Sequence, residues 1–122
     1  MTDRFPFEEL EIWQDAVCFA DKCLGISEKI GGNTKHYRLI SQLESACTSV
    51  SLNIAEGKGR YSKKEFAHFL YIARGSLFET ITILEILKNR KWIPEQDLID
   101  IRKDAISLGK RINAFINAIK KV

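Results

Sequence analysis

The sequence predicts an all-α protein: a single domain over residues 1–122, folded as an up-down-up-down antiparallel four-helix bundle. Three observations predict it. Four long segments carry apolar residues at alternating steps of three and four, the repeat of one helical face. The connections between them are short and rich in glycine, asparagine, serine or proline. No segment competes with the period-two alternation of a strand. A chain of 122 residues, 45% hydrophobic and 29% charged, can bury a core without staples.

The first helix is expected over about residues 7–30. Pro6 holds Phe5 in extended space, so the lead-in is not helical. Leu10, Trp13, Val17, Ala20, Leu24 and Ser27 then mark one face. Gly31-Gly32-Asn33 ends it, and Thr34 suits the N-cap of the next helix.

The second helix is expected over about 35–56. Its apolar stripe is Leu39, Leu43, Ala46, Val50 and Ile54, and a small polar stripe runs through Ser41, Ser45, Ser49 and Asn53. Small side chains admit another backbone closely. The turn Gly57-Lys58-Gly59-Arg60-Tyr61 follows, with two glycines free to take positive φ.

The third helix, about 63–89, opens at Ser62 with Glu65 three residues on, the spacing of a capping box. Phe66, Phe69, Leu70, Ala73, Leu77, Ile81, Leu84 and Leu87 form a wide apolar face. Gly75 lies mid-helix, where it costs about 1 kcal/mol relative to alanine. The hairpin geometry sets Gly75 and Ser76 against Ser49 and Asn53. The fourth helix, about 94–120, carries an unbroken heptad: Leu98, Ile101, Ala105, Leu108, Ile112, Phe115 and Ile119.

Charge is unevenly spread. The net charge is +3, yet residues 1–34 hold three basic and seven acidic side chains. Residues 35–75 hold seven basic and three acidic, and residues 76–122 nine and six. An acidic first helix against a basic remainder predicts packing between them as readily as an external anion. Cys18, Cys23 and Cys47 are odd in number and scattered, which reads as free thiols in a reducing compartment. The first ten residues lack a signal-peptide core, and no apolar run reaches the roughly 20 residues of a membrane span. The expectation is a cytoplasmic protein without a membrane role.

Chemistry-bearing motifs are sparse. Glu65 and His68 have the Glu-x-x-His spacing of di-iron bundles, but that centre needs two such pairs, and His36 has no glutamate three before it. Gly57-Lys58-Gly59-Arg60 lacks the spacing of a nucleotide-binding loop and follows a helix rather than a strand. Neither histidine stands at helical spacing from a serine, so no activated nucleophile is expected. No catalytic residue, metal, cofactor or small-molecule substrate is expected. Three other features do point somewhere. Lys58, Arg60, Lys63 and Lys64 gather at the hairpin tip beside the free N–H groups of a helix start, an arrangement suited to phosphate. Asn53, Glu56, Arg60, Arg74, Ser76 and Glu79 are expected to form a polar cluster near that tip, fixing register. Trp13, Phe19, Tyr37, Leu52, Tyr61, Tyr71, Ile72, Phe78, Ile83 and Ile86 exceed what one bundle buries, which predicts an oligomer.

The motifs also carry a resemblance. F-E-x-L-x-x-W-Q-x-A at residues 7–16, S-Q-L-x-x-A at 41–46, S-x-x-x-N-I-A-E-G-x-G-R at 49–60 and F-x-x-F-L-x-I-A-x-G-S-L-x-E at 66–79 span most of the chain. Together they resemble the bacterial four-helix-bundle proteins encoded within 23S rRNA intervening sequences. That family is related to the accessory variability protein of diversity-generating retroelements. The resemblance implies a closed bundle, a tapered homopentamer, no catalytic residue or cofactor, and a nucleic-acid partner. The combined expectation is a non-enzymatic homopentamer that presents its basic tips to RNA or DNA. The competing reading is a protein-interaction scaffold with no nucleic-acid role.

Overall fold

Proline at the first position, with its fixed φ, starts a 3-10 turn over Pro6–Glu9 rather than the first turn of an α-helix. The Phe5 amide donates to Glu8 Oε1 at 3.0 Å, and Gln14 Nε2 donates to the Glu8 carbonyl at 2.8 Å. Leu10 then returns to extended backbone, so helix α1 runs over Glu11–Ile30, four residues later than expected. The computed structural model describes residues 3–30 and 36–121. The Gly31-Gly32-Asn33 stop and the Thr34 cap lie outside them. Helix α2 spans Tyr37–Lys58, α3 Lys63–Asn89 and α4 Glu95–Lys120.

Each helix touches its neighbours in sequence, and α1 also packs on α4, which closes the ring. All four contacts are antiparallel. Ser49 meets Ser76 and Gln42 meets Glu79 between α2 and α3. Arg102 meets Glu85 and Arg74 meets Asn113 between α4 and α3. Between α1 and α4 a ladder of ion pairs repeats every seven residues on both helices: Asp15 with Arg111, Lys22 with Asp104 at 2.6 Å, Lys29 with Asp97 at 2.9 Å. The hydrogen bond and charge of Asp104 raise the pKa of Lys22. The acidic first helix is thus partly answered within the chain, since Arg111 also reaches Glu11 at 3.5 Å.

The core follows the expected stripes on α2, α3 and α4, with Leu43, Val50, Ile54, Leu70, Leu84, Leu87 and Ile112 fully buried. On α1 the buried sector is rotated. Ile12, Ala16, Phe19, Cys23 and Ile26 point inward, and Val17 is exposed. Helix α1 carries apolar residues over more than one stripe, and docking against both α2 and α4 selects the stripe between them. Phe19 and Ile83, counted as surplus from the sequence, are therefore core. Tyr37, Leu52, Tyr61, Tyr71, Ile72, Phe78 and Ile86 remain exposed.

Helix α3 ends in a Schellman motif: Trp92 N–H bonds to Leu87 O and Lys91 N–H to Lys88 O, both at 2.9 Å. The left-handed position falls on Lys91, at φ 62°, not on a glycine.

Candidate functional site at the hairpin tip

The tip is built by the end of α2 and the start of α3. Gly59 caps α2 at φ −80°, and its N–H bonds to Ala55 O and Glu56 O at 3.3 and 3.2 Å. Arg60 N–H then bonds to Gly57 O at 3.1 Å, so the helix closes by tightening its last turn. No described glycine has positive φ, against the expectation for Gly57 and Gly59. Gly57 serves a different purpose. It is buried, and a Cβ there would lie 2.7 Å from Phe69 Cβ and 2.9 Å from Phe66 Cδ1. Its bare backbone is what lets α3 close on α2. Ser62 caps α3 by accepting from the Glu65 amide at 3.1 Å. The Glu65 carboxylate accepts from the Ser62 hydroxyl at 3.4 Å rather than from the Ser62 amide.

The four tip cations divide into two pairs. Lys58 Nζ lies 5.9 Å from the Phe66 ring centre. Arg60 lies 4.7 Å from the Phe69 ring centre and 3.5 Å from Glu56. Lys63 and Lys64 form no ion pair among the described residues. They line a cleft of about 530 Å³ with Ala67, His68 and Tyr71 of α3 and Ile119 and Lys120 of α4. Lys120 Nζ donates to the Tyr71 hydroxyl at 3.0 Å, and the Arg74 guanidinium sits 4.9 Å from the Tyr71 ring centre. Among the described residues the cleft thus has an apolar floor, one held aromatic ring, three ammonium groups and no carboxylate in its lining.

Tyr71 and Lys120 were not singled out as tip residues by sequence reasoning. The signal was present in helix length: α3 and α4 have 27 and 26 residues and run antiparallel, so the end of α4 returns to the start of α3.

The expected polar cluster does not form as one unit. Asn53 Nδ2 donates to both the carbonyl and the hydroxyl of Ser49 at 2.8 Å, and Ser49 pairs with Ser76 at 2.8 Å. Glu56 holds Arg60. Arg74 instead donates to Asn113 of α4 at 2.8 Å, and Glu79 accepts from Gln42 of α2 at 3.3 Å. Residues 74 and 79 lie on opposite flanks of α3, since five residues turn a helix by about 140° beyond a full circle. Gly75 also departs from expectation. It is exposed, with nothing within 4 Å of a Cβ placed there.

Among the described residues no nucleophile and base are brought together. His68 packs edge-on against Phe69 at 5.7 Å, and His36 stacks on Trp92. Among the described residues no three His, Cys, Asp or Glu side chains gather to hold a metal. Nor is any described helix long and apolar enough to cross a membrane.

The geometry defines a class: a closed, antiparallel, all-α four-helix bundle with a cationic, partly aromatic tip. Residues 8–114 match the model of the 23S rRNA-intervening sequence protein family, and the chain belongs to that family. Among solved structures, it resembles a protein of unknown function from the S23 ribosomal protein family of Bacteroides thetaiotaomicron. The TM-score is 0.81 at 23% identity, covering 86% of this chain and 97% of that one, a likeness of fold. No curated protein matches.

Proposed function

We propose that this chain is a non-enzymatic cytoplasmic protein that assembles with copies of itself, as a homopentamer, and binds RNA or DNA through its basic tips. The observation that carries the reading is the segregation of charge. Lys63, Lys64 and Lys120 rim a cleft with no carboxylate among its described lining residues, and Lys58 and Arg60 stand exposed beside it. A polyphosphate backbone is the natural counterpart of such a surface, because each contact releases condensed counterions. One tip offers few contacts, and a ring of tips multiplies them without any new contact chemistry. The description of the family names 23S rRNA, which makes RNA the first partner to test.

The outward face of α3 supports assembly. Leu52 of α2 and Ile72, Phe78 and Ile86 of α3 are 64%, 39%, 58% and 44% exposed. Gly75 lies among the last three along the helix, and nothing among the described residues comes within 4 Å of a Cβ placed there. An exposed apolar sector with a bare backbone at its centre suits a second helix.

The test is filter binding to a structured RNA at rising salt. Wild type binds with a log affinity that falls linearly with log salt, and the variant with Lys58, Arg60, Lys63 and Lys64 all replaced by alanine loses that binding. Unchanged binding by the variant rejects the tip. Sedimentation as one chain at high concentration rejects assembly. A second reading, an interaction scaffold without a nucleic-acid role, is favoured by the engagement of Arg60 with Glu56 and Phe69. It predicts no binding even at low salt.

A further inference from the structure

The cleft at the tip has a composition that a purely electrostatic phosphate site does not need. Its floor is Ala67 and Ile119, both apolar, and its wall is the ring of Tyr71. That ring is held from two directions, by Lys120 on its hydroxyl and by Arg74 near its face. A small inorganic anion would meet the three lysines and leave the floor wet. A duplex would present its phosphates and keep its bases stacked inside, out of reach of the floor. An unpaired strand brings both parts at once, a flat apolar base and the phosphate attached to it. The cleft volume, about 530 Å³, falls within the roughly 300–1,000 Å³ typical of small-ligand sites.

We infer that the cleft between the start of α3 and the end of α4 takes one unpaired nucleotide of a single strand, with the base against Tyr71, Ala67 and Ile119 and the phosphate among Lys63, Lys64 and Lys120. This rests on the proposed function and narrows it: the partner is an unpaired segment, not a helix. Among the described residues Lys63 and Lys64 are free of ion pairs, so a phosphate displaces no described carboxylate from them. Tyr71 supplies the selection for an exposed base, since stacking is tolerant of base identity but requires an accessible face.

The experiment measures fluorescence anisotropy of the full chain with labelled oligouridylate RNA, the matching oligothymidylate DNA and a blunt RNA duplex at low salt. Wild type binds the single strand more tightly than the duplex. Tyr71→Leu keeps apolar bulk but removes the ring, and weakens single-strand binding roughly 5- to 150-fold, the factor that about 1–3 kcal/mol of lost stacking gives. It leaves duplex binding unchanged. Tyr71→Phe keeps the ring and retains single-strand binding, which separates stacking from any loss of fold in Tyr71→Leu. Equal affinity for oligothymidylate supports recognition by base and phosphate alone. A preference for oligouridylate supports it with the 2′-hydroxyl as an added contact. Displacement of the strand by polyglutamate at equal charge shows that the cleft reads charge only and overturns the inference. So does a Tyr71→Leu variant that binds single strands as wild type does while the four-cation variant fails; that result spares the proposed function. Absence of binding to every probe overturns both.

Discussion

Replacing Gly57 by alanine probes the closest approach in the hairpin. The added methyl must occupy a point 2.7 Å from Phe69 Cβ and 2.9 Å from Phe66 Cδ1. Phe69 Cβ is the root of its side chain, so no rotamer change moves it aside, and α3 itself must shift. Overpacking of this kind costs about 3 kcal/mol, the upper part of its usual span. Alanine returns about 1 kcal/mol through helix propensity. The net loss is about 2 kcal/mol. With an unfolding entropy of about 2.1 cal/mol/K per residue, a chain of this length loses about 8 °C in Tm. Gly25→Ala is the matched control. Gly25 is an exposed residue of α1 with nothing within 4 Å of its added Cβ. There the propensity term stands alone, and the protein gains about 1 kcal/mol, or about 4 °C. Thermal unfolding followed by circular dichroism reads both. A Gly57→Ala protein that melts at or above wild type refutes the reasoning, because α2 and α3 would then have room between them.

Three further outcomes follow from other parts of the bundle. Lys91→Gly relieves a left-handed residue in the Schellman turn and raises stability by about 1 kcal/mol; an unchanged or lowered guanidinium midpoint contradicts it. Among the cysteines, Cys18 is exposed while Cys23 and Cys47 are buried, so a thiol reagent labels Cys18 rapidly and the other two only on unfolding. The neighbouring Cys47 thiol, then burial, hold the Cys23 thiol well above its ordinary pKa of 9.0. Its stabilising contribution is full below that value and is lost as pH rises above it, because the unfolded thiol ionises while the folded one stays protonated. Stability therefore falls above pH about 9, by up to about 1.4 kcal/mol per pH unit for this thiol. Cys23→Ala has a shallower decline, measured as the pH dependence of the denaturation midpoint; an identical slope removes Cys23 as its source.

The four helices were legible because period, caps and breakers agree along each one. The 98–119 heptad on α4 and the Ser62 cap of α3 needed no tertiary information. The facing of Ser76 and Ser49 was also legible, since a short turn fixes which levels of a hairpin meet. Three things were not. The inward side of α1 depends on the crevice into which it docks, and its wide apolar surface permits more than one choice. The glycine that a neighbour needs was mistaken: Gly75 stood out by its place mid-helix, but the close approach occurs at Gly57, where the arms converge. The partners of Lys63 and Lys64 in the cleft come from residues 71 and 120, some 50 positions apart in sequence. Only the antiparallel return of α4 brings them together.

The three pairs that tie α1 to α4 have a bearing on how the ring shuts. Read along α1 the signs run minus, plus, plus at residues 15, 22 and 29; read down α4 they run plus, minus, minus at 111, 104 and 97. Sliding α4 by one heptad preserves the apolar repeat along the middle of α1 and loses a layer only at the ends, so the charges add to what the packing distinguishes. One slide sets Asp15 against Asp104, and the opposite slide sets Lys22 against Arg111. Each contact is solvent-exposed and adds little to total stability. Their pattern biases the final helix toward one alignment, since either slide trades three opposite pairs for one opposite and one like-charged pair.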